Sequence, residues 1–347
     1  MAGNDAAAME NMTFQEDDFQ WQNQDFSNHV DTNFASQSFW RDAFTRFVSN
    51  KGAVVSLFII VFLIFMAIVG PEMNAYTYDQ QIIRNQSMAP RIPGLEKLGI
   101  FDGSETVGAS VVNKYESNNL SDTYYWFGSD TLGRDIFTRT WVGTRISLYI
   151  ALVAVIVDML FGLSYGLISG YFGGKVDMVM QRIAEIINGI PTLVIVTLLI
   201  IVMKSGLMTI TFALMVSGWI GMSRIARAEM LKLKEQEFVL AARTMGAKNF
   251  RIIFKEVLPN IMGQLITQTM FSTPRAIFTE AFLAFIGLGV PAPMASLGSL
   301  ISEAYKSLTT HPYMIAFPLI VLALLMLSFT IVADGLRDAL DPKMKEM

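Results

Sequence analysis

The chain has 347 residues, of which 52% are apolar and 16% are charged, and it contains no cysteine. A mean hydropathy of +0.43 is too high for a water-soluble globular protein of this length and indicates a membrane protein. Without cysteine, disulfides and thiolate metal sites are excluded, and His29 and His311 lie too far apart in sequence to form a local metal site. The net charge of -4, without a polybasic run, excludes nucleic acid as a partner.

The N-terminal region is polar. Residues 1–35 are predicted to form a cytoplasmic tail with isolated aromatic side chains. No basic segment begins the chain and the first long apolar run starts at Ala53, so we expect no cleaved signal peptide. Within residues 36–51, apolar positions recur on one side of a helix. This pattern predicts an amphipathic helix at the membrane interface, and it fits an ordinary helix of a folded tail equally well.

Six segments approach the roughly 20 residues that a helix needs to cross the hydrocarbon. They are residues 52–70, 146–172, 183–203, 205–223, 261–286 and 312–333. We therefore predict an all-α integral membrane protein with six transmembrane helices. The first occupies residues 52–72 and the other five lie in a core at 145–335.

The fifth segment differs from the others because it contains Arg275 and Glu280. Its apolar residues contribute about 3 to 6 kcal/mol to insertion, whereas two ionised groups near a helix centre cost roughly 5 to 7 kcal/mol. This helix is expected to face the bundle interior or a partner protein rather than lipid. Because the two residues are five positions apart, partners on other helices are favoured over mutual pairing, and we rank structural pairing above contact with a substrate.

The distribution of Lys and Arg predicts the orientation. Positive residues cluster before the first segment, between the fourth and fifth, and after the last. They are Arg41, Arg46, Lys51, Arg227, Lys232, Lys234, Arg243, Lys248, Arg251, Lys255, Arg337, Lys343 and Lys345. Both termini, including residues 336–347, are thus predicted to be cytoplasmic in the cell membrane, and residues 73–144 form an extracytoplasmic loop region.

No enzyme motif is present. The segment Gly173-Gly174-Lys175-Val176 lacks the leading glycine and the Ser or Thr of a phosphate loop, and a tight turn explains it better. We therefore predict that the chain is not an enzyme and holds neither a nucleotide, a cofactor nor a metal.

The cytoplasmic connection 227–260 carries two apolar stripes at helical spacing. The first comprises Phe238, Ala241, Ala242 and Met245, and the second Phe250, Ile253, Phe254 and Val257. Gly246 separates them and Pro259 is predicted to end the second, which gives two short amphipathic helices. Each stripe must be covered, either by a partner or by the underside of the membrane bundle.

These residues resemble the Glu-Ala-Ala loop of ABC importer permeases. The resemblance comprises Leu240-Ala241-Ala242, Gly246 and Val257-Leu258-Pro259. Further motifs are typical of the C-type subunit of the oligopeptide and dipeptide permeases, and they cover about residues 40 to 340 in consistent order. They are FGSDTLGRD at 127–135, GTRISL at 143–148, GYFGG at 170–174 and EAFLAFIGLG at 280–289.

The resemblance implies a type I ABC importer permease fold and a set of partners. These are a paralogous B-type permease, two ABC ATPase subunits that would bind ATP and magnesium, and an extracytoplasmic peptide-binding protein. It also implies contact with an ATPase for the following residues: Glu237, Phe238, Leu240, Ala241, Ala242, Met245, Gly246, Leu258 and Pro259. Where the family has glutamate this chain has Leu240, and Glu237, three residues earlier, is our candidate to replace it.

The implied function is ATP-driven import of oligopeptides or dipeptides, with Arg275 and Glu280 in the pathway or at an interface. An importer of nickel or another small solute remains an alternative, because sister importers share the motifs. A membrane scaffold or sensor that recruits a partner through the same loop is a second alternative. It would need neither the charged fifth helix nor a second permease.

Overall fold

A computed structural model describes residues 39–107, 110–120 and 122–340 of the chain, and this part is mostly helical. The predicted tail at 1–35 and the last residues, 341–347, lie outside the described residues. The chain divides into two compact units, Met1–Asp42 and Ala43–Met347. Of the first unit the structure describes only the start of a helix.

The elements follow in chain order. The helices are α1 (Phe39–Ser49), α2 (Lys51–Val69), α3 (Lys114–Ser117), α4 (Ile136–Val157), α5 (Leu163–Phe172), α6 (Gly174–Asn188), α7 (Thr192–Met203), α8 (Leu207–Gly218), α9 (Ile220–Leu233), α10 (Glu237–Thr244), α11 (Asn249–Arg251), α12 (Leu258–Leu283), α13 (Leu297–Tyr305) and α14 (Tyr313–Leu340). Wider π turns at Asp158–Gly162, Ile252–Val257 and Ala284–Leu288 join or extend some of them. A two-stranded antiparallel sheet, β1 (Ser104–Val107) and β2 (Ser110–Asn113), is the exception to the predicted all-α class.

Length and composition identify four described helices that could cross a membrane. They are Lys51–Glu72, Ile136–Phe172, Leu207–Leu233 and Tyr313–Leu340. The pair α6 and α7 adds a fifth if it is counted as one span. The remaining predicted span, 261–286, corresponds to α12, which is long enough at 26 residues but interrupted by charged and polar side chains. Its membrane position therefore depends on cover from other protein, as the sequence predicted.

The predicted continuous helix at 183–203 is wrong, because the chain bends by 76° between α6 and α7. The Gly189 amide closes the last turn of α6 on the Glu185 carbonyl, and α7 begins after Pro191. Proline has no amide hydrogen and disfavours helical geometry in the residue before it, so the helix ends here. The segment 183–203 is apolar on both sides of the bend, so its hydropathy did not reveal the break.

The second membrane helix begins at Ile136, inside the segment 73–144 that the sequence assigned to the loop. Asp135 caps it by accepting a hydrogen bond from the Thr138 amide at 2.7 Å. Burial raises the pKa of the Asp135 carboxyl, and hydrogen bonds from Thr138 and Asn74 act in the opposite direction. Arg139 made this first part look too polar to be a span, yet its side chain is almost fully buried.

The segment before α4 has a small core of its own. Met88, Tyr115 and Tyr125 are buried together, and Tyr76 stacks on Tyr125 with ring centroids 4.6 Å apart. β1 and β2 pair at its edge with Glu105 opposite Val112. The segment nevertheless belongs to the same compact unit as the helices.

Helices α5 and α9 pack at very short range through glycine. Gly162, Gly166 and Gly170 recur every four residues and face the α9 backbone. A Cβ atom built on Gly166 would lie 2.2 Å from the Ser223 carbonyl oxygen. Small residues at this spacing let two membrane helices approach closely. This glycine stripe was missed in the sequence, although its spacing is readable there.

The prediction that Pro259 ends a short helix is wrong. The chain stays helical from α11 through the π turns at Ile252–Val257 into α12. Pro259 lies in the first turn of α12, directly after the π turns, and the helix continues past it. The segment 227–260 thus contains the end of α9, the short helix α10 and the start of a long helix.

Candidate functional site

Helix α10 is held on its inward side by a hydrophobic cluster. Val239 and Ala242 are buried and belong to the same cluster as Met230 of α9 and Ile252 and Val257 of the following π turns. Leu258 packs partly against this cluster, whereas Pro259 is exposed. The two inward residues are three positions apart and therefore lie on one face of α10. Through this cluster, α10 packs against both the preceding and the following helix.

The outward side of α10 is apolar and exposed. Phe238 is 41% exposed, Leu240 is 42% exposed and Met245 is 82% exposed. Ala241 is exposed beside them. The predicted stripe placed Ala242 on the same face as Phe238, Ala241 and Met245, and this is wrong because Ala242 points inward with Val239. We call the exposed set Phe238, Leu240, Ala241 and Met245 the outward face.

Glu237 lies in the first turn of α10 and is exposed. Within residues 39–107, 110–120 and 122–340 it forms no side-chain hydrogen bond or ion pair. Its carboxylate therefore stays available next to the outward face. That Glu237 replaces the family's glutamate, at whose position this chain has Leu240, stays a prediction.

Gly246 forms the turn that ends α10. Its φ angle is +80°, in the left-handed region that glycine adopts without strain. The Ala247 amide donates to the Ala242 carbonyl oxygen at 3.0 Å, which closes the end of the helix. No neighbouring atom lies within 4 Å of a Cβ built on Gly246, so the requirement for glycine comes from the backbone angle alone.

A salt bridge ties the start of α6 to α9, the helix that precedes α10. The Arg227 guanidinium donates to both carboxylate oxygens of Asp177, at 2.6 and 2.5 Å. The Ser169 hydroxyl also donates to Asp177. Gly173, with φ of +63°, turns the chain between α5 and α6, and the predicted tight turn at this position is confirmed. Sequence reasoning counted Arg227 only as an orientation signal.

Glu280 and Arg275 do not contact each other. Glu280 is buried, and its Oε2 accepts a hydrogen bond from the Ser147 hydroxyl of α4 at 2.9 Å. Its Oε1 has no partner among the described residues. Arg275 is exposed and lines a cavity with residues of other helices. The expectation that they would not pair with each other is confirmed, and their place in a transport pathway stays a prediction.

Charged residues of the FGSDTLGRD motif join the segment before α4 to α13. Arg134 donates to Glu303 at 2.7 Å and to Asp130 at 2.6 Å, and Arg139 donates to Glu303 at 3.1 Å. A Cβ atom on Gly133 would lie 1.9 Å from the Ile82 carbonyl oxygen, so this position excludes larger residues. The motif therefore builds a junction at the start of α4, which the sequence resemblance did not explain.

Comparison with known protein families agrees with this architecture. The family model described as the binding-protein-dependent transport system inner membrane component matches residues 162–346. A second model, the N-terminal transmembrane domain of oligopeptide transport permease C, matches residues 38–90. The oligopeptide transport system permease protein OppC of Bacillus subtilis (strain 168) is 43% identical over 90% of this chain and 92% of that protein.

The chain belongs to the oligopeptide and dipeptide transport permease family. The dipeptide transport system permease protein DppC of Bacillus subtilis (strain 168) is 41% identical over 89% of this permease and 88% of its own length. OppC of Escherichia coli (strain K12) is 33% identical over 88% of this permease and 92% of its own length. A solved structure of the MetNI methionine ABC transporter, in an inward-facing conformation, has a TM-score of 0.49 at 17% identity and covers 57% of this permease and 94% of that chain.

Proposed function

We propose that this permease is one of two paralogous membrane subunits of an ATP-driven importer of oligopeptides or dipeptides. Two ABC ATPase subunits would bind ATP and magnesium, and an extracytoplasmic binding protein would deliver the peptide. The permease itself would hold no nucleotide. In this arrangement both termini are cytoplasmic and the segment before α4 is extracytoplasmic.

The observation that carries the proposal is the outward face of α10. Its apolar side chains are exposed on a helix that the inward side fixes to the bundle. An exposed apolar patch of this kind indicates a protein contact, and its rim carries the Glu237 carboxylate. A partner that moved α10 would pull directly on α9, because Met230 packs in the same cluster as Val239.

Close packing then passes this motion into the membrane. Helix α9 lies against the glycines of α5, with almost no space between the two backbones. The Arg227 to Asp177 salt bridge ties α9 to α6 at the same end. Closure of the ATPases on ATP would therefore move α5, α6 and α9 together and exchange inner for outer access.

The test is ATP-driven uptake by the reconstituted complex. Proteoliposomes with this permease, its paralogue, both ATPases and the binding protein should accumulate labelled peptide only with hydrolysable ATP on the ATPase side. Uptake of labelled nickel instead of peptide would favour the related small-solute importer. A chain that binds no nucleotide-hydrolysing subunit and supports no uptake would be a scaffold, which contradicts the proposal.

A further inference from the structure

A cavity of about 340 Å³ lies among the membrane helices, and charged side chains line it. Its lining includes Asp158, Asn188, Arg224, Gln268, Ser272 and Arg275. The volume is within the range of about 300 to 1,000 Å³ that is usual for small-molecule sites. It lies at the bend between α6 and α7, because Asn188, Ile190 and Thr192 are part of its lining.

The charged side chains of this cavity form no ion pairs among the described residues. Asp158 is 8% exposed and begins the π turn Asp158–Gly162, a distortion that is frequent at functional sites. Ser272 and Arg275, both on α12, interact with its carboxylate, Ser272 through a hydrogen bond and Arg275 through charge attraction without direct contact. In the part of the chain that the structure describes, Asp158 forms no ion pair, and the guanidinium groups of Arg224 and Arg275 form neither an ion pair nor a hydrogen bond.

Charges inside a membrane protein are costly when they lack partners, and unpaired ones are characteristic of substrate and ion pathways. A purely structural ion pair would hold the carboxylate and a guanidinium in contact, which this cavity does not. Arg224 and Arg275 are also exposed, so their side of the bundle cannot face lipid and must be covered by protein or water.

We propose that this cavity is a transit subsite for the charged ends of a peptide. Asp158 accepts hydrogen bonds from the α-ammonium group, and Arg224 and Arg275 donate hydrogen bonds to the α-carboxylate. A cavity lined by one carboxylate and two guanidinium groups complements a ligand that carries charges of both signs. This inference rests on the proposed function, because only a peptide importer would carry such a ligand through the bundle.

The test compares free and capped peptides in the complete reconstituted importer. The probes are trialanine, which has no charged side chain, and an N-acetylated alanine peptide that the wild-type complex imports measurably. Asp158→Asn should lower the uptake of trialanine at least about tenfold, the effect of losing a hydrogen bond between charged groups. Uptake of the acetylated peptide should stay near the wild-type rate, and Asp158→Glu should restore most trialanine uptake.

Each variant is compared with wild type for the same peptide, so the preference of the unchanged binding protein cancels. Arg275→Gln should lower uptake of trialanine but spare a C-terminally amidated peptide. Glu185→Gln is the matched control, since this exposed carboxylate pairs with Arg182 on α6 at 2.7 Å and does not line the cavity. It should leave the ratio of free to capped uptake at the wild-type value.

Two results would overturn the subsite. Asp158→Asn could import trialanine at the wild-type rate, or it could lose both peptides equally while its ATP hydrolysis stays normal. Either result would leave peptide import by the wild-type complex intact. If the wild-type complex instead imports no peptide in any form, the proposed function itself fails.

Discussion

Replacement of Phe238 by alanine should weaken the association of the permease with its ATPase by an amount that follows from its exposure. A phenylalanine buries about 150–250 Å² when fully covered. Since 41% of Phe238 is exposed, a partner would cover on the order of 60–100 Å² more. At about 25 cal/mol per Å², this area contributes about 1.5–2.5 kcal/mol. The dissociation constant should therefore rise roughly 10- to 70-fold.

The measurement is a titration of the purified permease pair with ATPase subunits in detergent. Leu98→Ala is the matched control, because Leu98 is 72% exposed in the segment before α4 and its loss should leave the affinity unchanged. Val239→Ala removes a side chain from the inward side of α10, so it should lower the thermal stability much more than the affinity. Wild-type affinity of the Phe238 variant would refute the reasoning.

Three further predictions follow from the same geometry. Gly246→Ala should cost about 1–2 kcal/mol in the turn after α10 and reduce peptide uptake per ATP hydrolysed, whereas Gly246→Asn should be milder, as asparagine tolerates a positive φ. Gly166→Ala should lower the melting temperature, because overpacking against α9 costs about 1–3 kcal/mol. Gly206→Ala should leave the melting temperature unchanged, because Gly206 has open space around it and an extended backbone. Glu237→Gln should weaken ATPase binding roughly two- to fivefold in low salt, and unaltered binding and uptake would dispose of its proposed role.

The local parts of the fold were readable in the sequence. α10 begins at Glu237 and turns at Gly246, as the stripe and the glycine indicate. Helical spacing alone did not reveal which side would be buried. Val239 and Ala242 share a face three residues apart just as Phe238 and Ala241 do, and only packing against α9 distinguishes them.

Features that depend on distant partners were not readable. The true start of α4 was hidden by Arg139 and Arg145, whose charges are satisfied by Glu303 and by the carbonyl oxygen of Ala67. These partners are far away in sequence, so the hydropathy of the local segment does not reveal them. The continuation of the helix through Pro259 depends in the same way on wide turns that composition does not reveal.

The most direct test of the account is site-directed crosslinking from the outward face of α10. The chain contains no cysteine, so Met245→Cys introduces a single thiol at a side chain that is 82% exposed. In the assembled complex, a short crosslinker at this position should join the permease to an ATPase subunit, with a yield that changes on addition of ATP. Leu98→Cys should give no such product. Equal labelling of both positions without any ATPase adduct would contradict the claim that α10 couples the membrane helices to an ATPase.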